Sequence, residues 1–174
     1  MLVALLLGVV FVTTLLACLS DVQTLRIPNL YSVIVMAAFA VAFFVSPESF
    51  GSWKEHLGAF AIILIVTYIM FMVGMMGGGD SKFGSALALW VGVHGLLSFV
   101  FWMGLMGGIL GGISLYFKKK KPVQNPKEGS WIAQVQMGRN AVPYGIAISF
   151  GAWAGLLQTG LITHQLDELI KIIH

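Results

Sequence analysis

Hydrophobic positions fall into five long runs, residues 2–20, 30–47, 58–75, 83–117 and 140–163, and none of the five contains Asp, Glu, Lys or Arg. Uncharged runs of about 18 residues or more are long enough to cross a hydrocarbon core of roughly 30 Å as helices. Lipid offers no partner to an open backbone group, and the alternating pattern of a barrel strand is absent, so helices are the predicted spanning elements. The fourth run is too long for one crossing. At about 1.5 Å per residue, 83–117 would make a helix of roughly 52 Å. The expectation is two short spans, 83–94 and 96–117, with a turn near His94 and Gly95.

The sequence thus predicts an all-α membrane protein of six spans, at about 2–20, 30–47, 58–75, 83–94, 96–117 and 140–163, forming a single integral-membrane domain over residues 1–174. Charge tests that count independently, because short cytoplasmic loops collect Lys and Arg. Six spans with both termini outside place Arg26, Lys82, Lys118 to Lys121, Lys127 and Arg139 inside, and leave Lys54 and Lys171 outside. Five spans would put the four-lysine run opposite Arg26 and Lys82.

Composition agrees: 58% of residues are hydrophobic and 10% charged, with a mean hydropathy of +0.91. The net charge of +3 sits in short segments between spans rather than on a soluble face, so it is read as a topology signal and not as a nucleic-acid surface. The N-terminal run lacks a basic leader region, so it is expected to remain as the first span. The longest polar segment, 118–139, is expected to be a cytoplasmic loop whose lysines can attract anionic membrane lipid. Cys18 is the only cysteine and lies in an apolar span, which leaves no disulfide framework and no Cys-rich metal site.

Glycines recur every four residues along the fifth span, at Gly104, Gly108 and Gly112 and at Gly107 and Gly111, a spacing that lets a neighbouring helix approach closely. Trp90, Trp102, Trp131 and Trp153 are read as packing or interfacial residues.

Candidate chemistry narrows to carboxylates. Of three aspartates, Asp167 lies in an amphipathic mixed-charge tail and needs no functional explanation. Asp21 directly follows the first span in SDVQTLRIPN, and Asp80 follows the third in MGGGDSKF, both on the cytoplasmic side at similar depth. Gly77, Gly78 and Gly79 before Asp80 permit a close backbone approach that a side chain would block. Pro28 holds the start of the second span rigid and biases Ile27 to an extended conformation. Two carboxylates that converge cannot both ionise easily and share a proton, which is what aspartyl peptidolysis requires. One draws a proton from water, and the other polarises the scissile carbonyl. No HExxH, GxSxG or GK[ST] motif is present, and His56, His94, His164 and His174 are scattered, so no zinc, serine or cysteine site can be assembled.

These segments resemble the type IV prepilin peptidases and the related preflagellin peptidases, a family of GxGD membrane aspartyl proteases. SDVQTLRIPN is similar to the family's first motif, GGGDSK to its GxGD motif with a following Lys, and VPYGIAISFG to its late Pro-x-Gly span. The resemblance implies that Asp21 and Asp80 are catalytic, and that Gly77, Gly78, Gly79, Lys82, Arg26, Pro28 and Asn29 bind substrate or shape the site. It also implies a substrate, a prepilin precursor with a short basic leader ahead of a hydrophobic helix, cut at the cytoplasmic face of the bacterial inner membrane. The Cys-x-x-Cys segment of larger bifunctional members is missing. The chain therefore looks like the short, peptidase-only type that serves Flp or tight-adherence pili, without N-methyltransferase activity, bound zinc, methyl donor or other cofactor. Two other classes stay open: a small channel or transporter using the two aspartates for a cation, and a structural subunit whose aspartates are merely hydrated.

Overall fold

The computed structural model describes residues 1–173, and His174 lies outside them. Its helices are α1 (Leu2–Thr24), α2 (Asn29–Val45), α3 (Trp53–Met72), α4 (Gly78–Lys120), α5 (Trp131–Gln136), α6 (Tyr144–Gln158) and α7 (Leu161–Ile173), with a 3-10 turn at Pro47–Ser49 between α2 and α3. No strand occurs among the described residues. By length and apolar composition α1, α3 and α4 can each cross a membrane, and a fourth span results if α6 and the start of α7, bent by 63°, count as one. α2 is apolar throughout but has only 17 residues.

α4 is two helices. Gly92, with φ 64° and ψ −178°, breaks it. Contacts with α6 show the direction of each half: Gly84 faces Ile148, Gly95 lies against the carbonyl of Gly155, and Gly107 faces Tyr144 and Ala147. Contact therefore advances along α6 and then returns as residue number in α4 rises, so the halves run antiparallel. The reversal comes two residues before the expected turn at His94 and Gly95, because only glycine adopts this backbone without strain. The Leu89 carbonyl lies three residues before the break. A ring nitrogen of His56 faces that oxygen, while the other faces the carbonyl of Phe50 at 2.8 Å.

The first half of α4 is the centre of the bundle. Every residue from Phe83 to Gly92 is buried, because α2, α3 and α6 surround it. A helix apolar all round has no amphipathic face to point at solvent, and it goes inside. Its neighbours in the core include Val10 and Ala17 of α1, Val35 of α2, Ile63 of α3 and Leu156 of α6. Trp90 packs in this core and donates its indole N–H to the Val35 carbonyl at 3.0 Å.

Three expectations change. The last run is not one straight helix: Gly160, at φ 74°, ends α6 and redirects the chain into α7. The segment 118–139 is not all loop, since Ser130 caps the short helix α5, whose Trp131 and Val135 bury against Leu110 and Ala147. The glycine stripe does not seat a helix of this chain along its length. Only Gly107 faces one, whereas a methyl at Gly104, Gly108, Gly111 or Gly112 would meet nothing within 4 Å. Among the described residues no histidine pairs with Asp21 or Asp80: His56 is at the helix break and His94 lies 3.2 Å from Glu55, while His174 lies outside the described residues.

Candidate active site

α1 ends in a tight turn. Leu25 takes a left-handed conformation, φ 52°, and returns its N–H to the carbonyl of Asp21 at 2.8 Å. Ser20 Oγ donates to the Arg26 carbonyl at 2.8 Å, fixing the next step of the chain. Ile27 then turns inward and is buried, and Pro28, at φ −58° and ψ 138°, leads into α2. Asp21 therefore sits in the last turn of α1 with its carboxylate directed into the bundle, 3% exposed.

The partner of that carboxylate lies far along the chain. The backbone N–H of Gly145 donates to Asp21 Oδ2 at 2.7 Å. Gly145 is in the first turn of α6, where amide groups lack helical partners and the helix dipole favours a negative charge. Pro143 precedes that turn as the residue flanking the helix, a place where its missing N–H is no loss. A Cβ at position 145 would lie 3.1 Å from both Cβ and Oδ2 of Asp21, so glycine is what permits the contact. Beside it, Cys18 Sγ lies 3.4 Å from Ser149 Oγ, a packing contact along the same α1–α6 seam.

Asp80, by contrast, lies in the first turn of its helix, α4. After α3, Gly74 at φ 73° reverses the chain, and Gly77 flanks the helix in an extended conformation, φ −75° and ψ 148°. The Asp80 carboxylate reaches back one turn and accepts the Gly77 N–H at 3.0 Å, which satisfies an orphan amide and complements the dipole. Gly79 faces the carbonyl of Ile27 so closely that a Cβ there would be 2.6 Å from the oxygen. Gly78 lies beside Phe71.

Ile27 is the bridge between the two acids. Its Cδ1 approaches Gly145 next to Asp21, while its carbonyl abuts Gly79, the neighbour of Asp80. Between the two loops opens a cavity of about 390 Å³, lined by Leu25 to Asn29 on one side and Gly77 to Asp80 on the other. Arg26, Pro28, Asn29, Gly77, Gly78, Gly79 and Asp80 thus share one cleft. Lys82 is outside it, exposed, with Nζ donating to Asn29 Oδ1 at 3.2 Å and so tying α4 to the start of α2. Asp21 lies behind the lining rather than on it.

Among the described residues no Lys, Arg or His forms an ion pair with either acid, and no three His, Cys, Asp or Glu side chains come together. Sequence reasoning missed Gly145 and Ile27. The PYG segment drew notice for its resemblance, yet nothing local shows that its glycine amide meets an aspartate 124 residues earlier.

Comparison with curated proteins and with solved structures returned no match. The family model of the type IV leader peptidase family matches residues 6–112, which includes both aspartates and both sides of the cleft. That match covers more than half of the chain, and the protein belongs to the type IV leader peptidase family.

Proposed function

We propose that the protein is an aspartyl leader peptidase in which Asp21 and Asp80 together activate a water. The observation that carries this reading is their shared setting: two acids at one end of the bundle, each held by a backbone N–H at a helix N-terminus, joined through Ile27 beside an open cleft. The ionised acid takes a proton from water, and the protonated acid hydrogen-bonds the scissile carbonyl. Attack of the water oxygen forms a tetrahedral diol, and collapse breaks the C–N bond as a proton passes to the leaving amine. Gly145 N–H keeps one oxygen of Asp21 engaged, fixing the carboxylate plane and leaving the other oxygen for the partner acid or the water.

The domain is read as six spans over residues 1–174, with both termini outside and the cleft facing the cytoplasm. The antiparallel halves of α4 support this count, and the four-lysine run 118–121 supports the orientation. The substrate is read as a prepilin of the Flp-like class, whose hydrophobic helix lies in the bilayer and whose short basic leader crosses the cleft. Asp80, on the lining of the cleft, offers a carboxylate to such a leader.

Co-expression with an Flp-like prepilin tests the assignment through loss of the leader on a gel. The parent chain should cleave it, and Asp21→Asn and Asp80→Asn should each abolish cleavage while still inserting in the membrane. Cleavage by either variant would remove the two-acid mechanism.

A further inference from the structure

A second cavity, larger than the cleft at the aspartates, lies apart from them. It is a groove of about 650 Å³ between the second half of α4 and residues 139–144, reaching Met75 at the end of α3. Gly108, Gly111 and Gly112 line it, and a methyl on any of them would meet nothing within 4 Å, so the groove is a depression the chain leaves unfilled. Its far wall is firm. Ser114 Oγ donates to the Ala141 carbonyl at 2.8 Å, and Trp131 Nε1 donates to both Ser114 Oγ and Ala141 O at 2.9 and 3.1 Å.

The groove is apolar along its length and cationic at one end. Lys118, ten residues and about 15 Å of helix beyond Gly108, stands there with Arg139. Lys118 Nζ donates to Asn140 Oδ1 at 2.8 Å, which holds it at the rim, and among the described residues neither cation has an acidic partner. An occupant that matches both features has an apolar chain for the glycine floor and a negative charge for the rim. A guanidinium and an ammonium group on one groove suit a phosphate diester, and such side chains can lay their aliphatic stems along apolar surface while their heads stay at the water boundary.

We propose that this groove is a binding site for one anionic glycerophospholipid, its acyl chain over Gly108, Gly111 and Gly112 and its phosphate between Lys118 and Arg139. A basic leader peptide is repelled by that rim, so the charge favours lipid over the substrate helix. The site lies beside Tyr144, the residue before the Gly145 that holds Asp21, so its occupancy buttresses the loop on which Asp21 depends.

The test uses the full chain, delipidated in detergent and exposed to equal amounts of phosphatidylglycerol and phosphatidylcholine, with retained lipid read by native mass spectrometry. The parent should hold one phosphatidylglycerol in preference to phosphatidylcholine by about tenfold or more, as two cations at a membrane surface allow. Lys118→Gln with Arg139→Gln should erase the preference. Gly108→Leu with Gly111→Leu, which fills the groove and leaves the cations, should lose the lipid. Glycerophosphoglycerol, the headgroup without chains, should not compete. Equal retention of the two lipids by the parent, an unchanged preference in the Gln variant, or full competition by the headgroup alone would each overturn the site. So would a Leu-filled variant that keeps the lipid but no longer cleaves a prepilin, because the groove would then seat the substrate helix.

Discussion

Gly145 N–H donates to Asp21 Oδ2 at 2.7 Å, linking the end of the first helix to the start of the sixth. A carboxylate that accepts an amide at a helix N-terminus is oriented as well as stabilised, and hydrogen bonds to charged groups contribute about 1.5–3 kcal/mol.

Gly145→Ala is expected to displace Asp21, since the added carbon falls 3.1 Å from its Cβ and Oδ2. Prepilin cleavage should drop by roughly 10- to 100-fold, the kinetic equivalent of one charged hydrogen bond. Helix content by circular dichroism should not change. Unaltered cleavage would show that Asp21 needs no anchor.

Gly77→Ala and Gly79→Ala should separate chemistry from stability. At position 79 the new carbon would sit 2.6 Å from the Ile27 carbonyl, a backbone atom that cannot swing away. Overpacking of this kind costs about 1–3 kcal/mol, so thermal unfolding should shift down along with activity. At position 77 the carbon would lie 2.8 Å from Asp80 Oδ2, the end of a side chain that can rotate. Cleavage should fall there with a much smaller change in melting temperature.

The rate of leader removal should be bell-shaped in pH. A pair that works with one proton fails when both acids are protonated and again when both are ionised. Initial rates in proteoliposomes buffered across the acidic and neutral range should rise and then fall. A plateau extending to alkaline pH would exclude the shared proton.

Gly92→Ala should destabilise the fold, whereas Gly104→Ala should not. Gly92 has φ 64°, and a Cβ there would press 3.1 Å from Cε1 of His56. This extended backbone at positive φ is essentially confined to glycine and costs another residue about 1–3 kcal/mol. Gly104 is helical with open space around it, and alanine favours a helix interior by roughly 1 kcal/mol. Heat-induced aggregation in detergent would rank the two variants in that order.

What the sequence by itself determined is the solvent and the shortlist of chemistry. Uncharged runs can lie only in lipid as helices, and their length forced the fourth run to be divided. Asp21 and Asp80 stood out because few acids exist and their flanking glycine and proline restrict the backbone in ways local sequence reveals. The tertiary structure alone decided which partners hold those acids. Ile27 reaches both loops, and Gly145 meets Asp21 across 124 residues, contacts made by packing between helices that no local pattern encodes. The glycine stripe shows the same limit from the other side. Its spacing marks a surface open to close approach, but only the packed bundle shows that this chain leaves most of that surface bare, because α6 meets the helix at Gly107 and leaves the other glycines uncovered.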